Sequence, residues 1–256
     1  MKIDFSDLER QVQERGSVFT LDNGMTVISE HVPNSGLAYG NLIMSPGGHI
    51  ETSENQGLMH FLEHMCFDSS KQFSSREERS LRAGQLGMHL NAATSYNSVV
   101  FNVLGGNGST YLLNEHFPEA LSLIKDIAFD TMFTEEGLAR EKDIVLRELA
   151  QSNQAKRSNS FQTIQDITQL RTYSNNQLKL RDGLGTQETI TSFTLDQLRE
   201  CHNKYFGARN GVLQLVGDTQ INGDLIAYVD SIFGIVKPGE KTQPYQDIPE
   251  EPFNGA

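Results

Sequence analysis

The stretch from Gln56 to Cys66, QGLMHFLEHMC, is apolar around most of a helix and yet carries two imidazoles and a carboxylate. Leu58, Met59, Phe61, Leu62 and Met65, with Phe67 just beyond, leave it almost no solvent face. A helix apolar nearly all round is a buried one. Ionisable groups taken into such a place need partners, because an uncompensated buried charge is costly. Any fold of this chain must therefore wrap this helix on several sides and still bring polar groups to His60, Glu63 and His64.

The remainder of the chain offers strands first and helices later. Val18–Leu21 and Met25–Val32 flank Asn23-Gly24, a hairpin signal whose two central residues are expected at positive φ. Leu37–Met44 reads as a third strand, and Pro46 to Gly57 as a loop. Ser75–Gln85 reads as a surface helix, and Met88–Ser95 and Ser98–Leu104 as two more strands with a turn near Tyr96-Asn97. From Tyr111 the period becomes helical: Leu112–Phe129, restarting at Pro118, then Glu135–Gln154, Phe161–Leu170 and Leu195–Tyr205. Val212–Val216 is a returning strand and Gly223–Phe233 a last helix. Residues 1–16 read as a charged helical lead-in. The polar stretch from Lys237 reads as a linker or disordered end. Strands early, helices late and one strand returning predict an α+β fold, an antiparallel or mixed sheet with helices packed on one face. Residues 1–236 are expected to form one domain, with 237–256 as its tail.

The chemistry is concentrated in His60-Phe61-Leu62-Glu63-His64. Two histidines four apart stack on one face of a helix, close enough to grip one ion. Neutral imidazole suits zinc. Glu63 stands beside them as a non-ligand, where a carboxylate can take a proton from water acidified by the metal. The spacing is H-x-x-E-H, and a chance match in a chain with this many histidines is on the order of one in a hundred.

Zinc in hydrolases usually takes three protein ligands and keeps one position open. The helix Glu135–Gln154 can supply the third. At about 100° per residue, Glu141 and Glu148 project in nearly one direction, among Ile144, Val145, Leu138 and Leu149, while Arg140, Asp143 and Arg147 point away. Seven residues put the two acids about 10 Å apart along the axis, so they do not reach one ion together, and the spacing leaves open which of them does. Glu135 and Glu136 follow Thr134 and are read as first-turn charges favourable to the helix dipole. His31, His49, His89, His116 and His202 have no partner at ligand spacing and read as structural or solvated. Cys66 reads as an inert buried thiol.

Net charge and composition exclude several classes. With 21 Lys+Arg against 33 Asp+Glu the formal charge is −12, a surface that repels phosphate backbones and argues against nucleic-acid binding. No run approaches the roughly 20 apolar residues of a membrane span. The opening MKIDFSDLER resembles neither a secretory signal nor a transit peptide, and two distant cysteines suit a reducing compartment. A cytoplasmic location is the expectation.

The sequence resembles the pitrilysin/insulinase family of zinc metallopeptidases. The likeness runs through Gly48-His49-Ile50-Glu51, Gly57 to Met65, Gly87 to Ser95 with its N-A-x-T-S pattern, and Arg140 to Glu148. It is weaker at Gly183–Ile190 and Tyr205–Asp218. The resemblance implies one zinc ion held by His60, His64 and Glu148, with Glu63 as general base and Glu141 as a supporting carboxylate. It also implies a peptide or unfolded polypeptide substrate held as an added strand along Asn91, Ala92 and Ala93. Family peptidases have two homologous halves around a chamber, and this chain is about one half long. The resemblance thus implies a second half, from a homodimer or a partner chain. The alternative is a non-catalytic peptide-binding or assembly subunit on the same fold. Cys66-Phe67-Asp68-Ser69-Ser70 departs from the F-K-G-T of many relatives beside the site, without removing a ligand.

Overall fold

The computed structural model describes residues 16–105, 112–113, 116–158, 183–218 and 223–242. The strands are β1 (Gly16–Thr20), β2 (Thr26–His31), β3 (Leu37–Met44), β4 (Met88–Thr94), β5 (Val99–Gly105), β6 (Leu112–Leu113) and β7 (Gly211–Gly217). The helices are α1 (Leu58–Cys66), α2 (Arg76–Gln85), α3 (Phe117–Phe129), α4 (Glu135–Ser158), α5 (Gln187–Ser192), α6 (Leu195–Tyr205) and α7 (Gly223–Phe233). The expected helix Phe161–Leu170 and the lead-in 1–15 lie outside the described residues.

The sheet runs β1-β2-β7-β3-β5-β4, with β6 on β3. The returning strand β7 sits in its middle, parallel to β2 and antiparallel to β3. The sheet is therefore mixed and the fold α+β, as the order of periodicities predicts. Register explains where the helices go. Leu42 lies opposite both Phe101 and Leu213, and Ala38, Leu42, Met44, Val99, Phe101, Val103, Leu213 and Leu215 are all buried. Strand residues alternate faces, so these form one continuous apolar surface. Helix α3 packs on β3 and β5 there, and α1 on β4 and β5.

Three local expectations are corrected. The β1–β2 hairpin forms, but only Gly24 has positive φ, at 93°. Its amide donates to Leu21 O, and Leu21 N donates to Met25 O. The turn thus centres on Asp22-Asn23, with Gly24 as the left-handed residue that a hairpin loop longer than two residues uses. The freed Asn23 side chain donates to Phe233 O and Val236 O, tying in the end of α7. Second, Leu112–Leu113 is a strand, and α3 starts at Phe117 with Pro118 in its first turn. β5 pairs with β3 only over Gly40–Met44, so the Leu37–Ala38 end of that edge is left for β6. Third, α2 is not simply a surface helix: Arg79 is 1% exposed and donates to Asp126 Oδ2 at 3.1 Å and to Phe67 O. The stretch from Lys237 begins hydrogen-bonded, with Ala208 N donating to Lys237 O and Thr242 N to Asn210 Oδ1. Residues 243–256 lie outside the described residues.

Candidate metal centre

Helix α1 is fixed at both ends before any ligand is considered. Its first amides have no intrahelical acceptors, and the buried Glu51 carboxylate accepts from Gly57 N at 2.9 Å and Met59 N at 2.7 Å. An anion at this end also complements the helix dipole. Gly57 caps the helix at φ 86°, and a Cβ there would stand 2.6 Å from Leu184 O, so no other residue fits. At the far end Arg79 holds Phe67 O, and Asp68 is paired with Arg140 of α4. The loop that follows α1 is thus anchored by buried charge: Asp68 is 1% exposed, and Ser70 Oγ donates to Asp126 at 2.8 Å. The apolar side chains of α1 are buried against β4, β5, α4 and α6.

What remains faces α4 and β4. His60 and His64 lie on one face with ring centroids 4.7 Å apart. Glu148 Oε2 stands 3.8 Å from His60 Nε2 and 3.4 Å from His64 Nε2. These are the His, Cys, Asp or Glu side chains that could hold an ion among the described residues, with ligand atoms all within 4.8 Å of one another. Zinc bonds of 2.0–2.1 Å in a tetrahedron put neighbouring donors about 3.4 Å apart. The His64–Glu148 separation matches that spacing and the His60–Glu148 separation is a few tenths of an ångström wider, so two imidazole nitrogens and one carboxylate oxygen suit that ion after small side-chain shifts, with one position left open.

The question left open by the spacing on α4 is answered by its docking. Glu148 meets the Nε2 atoms, while Glu141, wholly buried, takes His64 Nδ1 at 3.1 Å on Oε2. A carboxylate on the other ring nitrogen sets the tautomer and the orientation of a ligating histidine. Burial opposes a proton on His64, but the Glu141 hydrogen bond and the charges of Glu148, Glu141 and Glu63 outweigh it and raise its affinity for one. Glu63 is 8% exposed. Its burial raises the carboxyl above the ordinary range, partly countered by Thr94 Oγ1, which donates to it at 2.6 Å.

A cleft of about 470 Å³ opens over these residues, with His60, Glu63, His64 and Glu148 on one side and Met88–Ala92 of β4 on another. Strand β4 ends the sheet among the described residues. Asn91 and Ala93 are exposed, and Ala92 is half-buried opposite Phe101. His60, Glu63, His64, Glu148, Asn91 and Ala92 thus line one cleft and Glu141 supports it through His64, whereas Ala93 is not among the lining residues. Glu51, Arg76 and Thr94 also belong to the site and were not assigned roles from sequence. Thr94 and Glu51 lie inside the matching stretches, so their signal was present, whereas Arg76 sits in a charge run that reads as surface. Cys66 is buried, and burial pushes its thiol up to about 12.

The family model for insulinase (peptidase family M16) matches residues 26–181. The chain belongs to this family. It is 27% identical over 231 residues to an uncharacterized zinc protease of Rickettsia felis, covering 90% of this chain and 53% of that protein. It is 28% identical over 224 residues to the mitochondrial-processing peptidase subunit beta of Saccharomyces cerevisiae, covering 88% and 46%. This M16 chain therefore spans about half the length of these relatives. Among solved structures, a protease from Helicobacter pylori superposes with a TM-score of 0.77 at 18% identity, over 91% of this chain and 53% of that one. A peptidase M16 inactive domain from Pseudomonas fluorescens superposes with a TM-score of 0.75 at 18% identity, over 90% and 53%. At such identities the likeness establishes the fold alone, and that fold occurs in an inactive domain as well.

Proposed function

We propose that this M16 chain is the zinc-binding catalytic half of a metalloendopeptidase. The observation that carries the reading is the convergence of His60, His64 and Glu148, with ligand atoms within 4.8 Å of one another and Glu63 beside them in one cleft. Bound zinc would supply Lewis-acid polarisation of the scissile carbonyl and acidify water to a pKa of about 7. Glu63 is the general base: it takes the proton of the attacking water and returns it to the leaving nitrogen. Thr94 holds that carboxylate in place, and Glu141 orients His64. The edge of β4, unpaired among the described residues, takes the substrate backbone as an added strand, with small side chains at Ala92 and Ala93 allowing close approach and little sequence preference. Substrates of this kind are peptides or unfolded polypeptides.

A cleft open on one side does not exclude water or fix a substrate, and a misplacement of about 1 Å can cost on the order of a hundredfold in rate. The reading therefore includes a second family-like half, from a homodimer or a partner chain. Elemental analysis tests the metal: the wild type is expected to hold one zinc per chain and His60→Ala or His64→Ala none. Full occupancy in either variant sinks the ligand assignment, and a zinc-free wild type favours the non-catalytic reading. Peptide hydrolysis by a sample shown monomeric by sedimentation tests completeness; efficient, chelator-sensitive turnover there removes the need for a second half.

A further inference from the structure

The orientation of His64 rests on a guanidinium outside the ligand set. Arg76 opens α2. Its Nη2 donates to Glu141 Oε1 at 2.9 Å and to the backbone oxygen of His64 at 3.3 Å. The other oxygen of the same carboxylate meets His64 Nδ1. One planar group thus grips His64 from two directions: directly at its main chain, and through Glu141 at its ring. Glu141 has no solvent exposure, whereas Arg76 is 34% exposed. A buried carboxylate needs a fixed counter-charge, and the neighbouring Arg140 is engaged with Asp68.

We infer that Arg76 is a positioning residue of the metal centre, locking the Glu141 carboxylate and the end of α1 together so that His64 presents Nε2 towards Glu148. The inference rests on the zinc reading above. Three helices meet at this one side chain: α2 supplies it, α4 supplies Glu141 and α1 supplies His64. Arginine suits the task because its fork of donors is rigid and planar, while lysine offers a compact point charge on a flexible stem. Lysine at this position restores the charge beside Glu141 but not the fixed two-acceptor geometry.

The test uses the full chain in four forms: wild type, Arg76→Met, Arg76→Lys and, as a control on the same helix, Arg82→Met, which breaks only the exposed pair with Glu119. Zinc affinity is measured by competition with a chromophoric chelator, ligand geometry by the visible absorption of the cobalt-substituted protein, and folding by the melting of the metal-free protein. Groups that orient ligands are typically worth 10- to 100-fold in metal affinity. Arg76→Met is expected to lose about that much and to shift the cobalt spectrum, Arg76→Lys to recover part of both, and Arg82→Met to change neither. Should Arg76→Met not fold, the Arg76→Lys spectrum and affinity decide. Arg76 variants with wild-type affinity and spectrum, whatever their melting temperature, leave Arg76 a structural tie and overturn the inference. A wild type that holds no zinc refutes the metal reading itself, and this inference with it.

Discussion

His202 should make this protein acid-labile by an amount that can be isolated. The side chain is 8% exposed, between Phe206 (ring centroids 4.9 Å apart) and Phe133 (5.3 Å). Its Nε2 lies 2.9 Å from Ala128 O, as a donor to that carbonyl. Burial pushes its pKa from 6.5 down to about 4, although the bond to Ala128 holds it up slightly. Above pH 6.5 the ring is neutral folded and unfolded, so it adds no pH dependence. Between 6.5 and about 4 the unfolded chain takes up a proton that the folded chain refuses, so stability falls as pH falls. A pKa of about 4 in place of 6.5 is worth about 3 kcal/mol once both forms are protonated, and about 2 kcal/mol of that is lost by pH 5. His202→Gln keeps a donor for Ala128 O and removes the titration. It also loses the ring contacts, so it should be about 1 kcal/mol less stable than wild type at pH 8. Urea denaturation of both proteins at pH 8, 6.5 and 5, with equal m values, gives the difference directly, and carboxylate titrations common to both cancel. The wild-type advantage should shrink and reverse as pH falls. A difference constant from pH 8 to 5 would refute the claim that His202 is buried neutral.

Glu63→Gln should retain zinc and lose about 10²- to 10⁴-fold in turnover, the usual contribution of a general base, whereas Glu148→Gln should lose zinc affinity first; chelator competition and peptide hydrolysis separate the two. Metal loss from Glu63→Gln, or none from Glu148→Gln, would reverse the assigned roles. Cys66 and Cys201, both buried and both pushed up to about 12, should react with an aromatic disulfide reagent only on unfolding; rapid native-state labelling of either would contradict their burial.

The residues that identify the site were legible because they break a local rule. His60, Glu63 and His64 are polar groups on an apolar helix, and their spacing along one helix states their mutual geometry outright. From spacing alone Glu141 and Glu148 were legible only as a pair on a packed face, and it was the family resemblance that separated ligand from support. The choice between them depends on how far α4 slides along α1, which no periodicity encodes. Arg79 was misread for a related reason. Within REERSLR nothing distinguishes it from its exposed neighbours, and its burial is made tolerable by Asp126, 47 residues away. The strand at Leu112–Leu113 was missed because a short apolar run fits either period, and its state was decided by a vacant stretch of β3.

The loop after α1 is tied into the core by contacts of the same kind. Asp68 and Ser70 are buried, and each is held by a partner from another element: Asp68 by Arg140 of α4, Ser70 by Asp126 of α3, the acid that also holds Arg79 of α2. Losing a partner strands a buried charge without solvent, as for Asp68 and Asp126, whereas Arg140 is half exposed and would remain solvated. This matching ties the loop to charged groups on α3 and α4. Its effect is mechanical. Arg140 and Glu141 are successive residues of α4, one gripping the loop that follows α1 and the other gripping His64 on α1 itself. Helix α4 is thus held to α1 at two adjacent points, and Glu148 lies two turns further along the same rigid element. Glu148 thus takes its position from contacts made a heptad away from it, at Arg140 and Glu141.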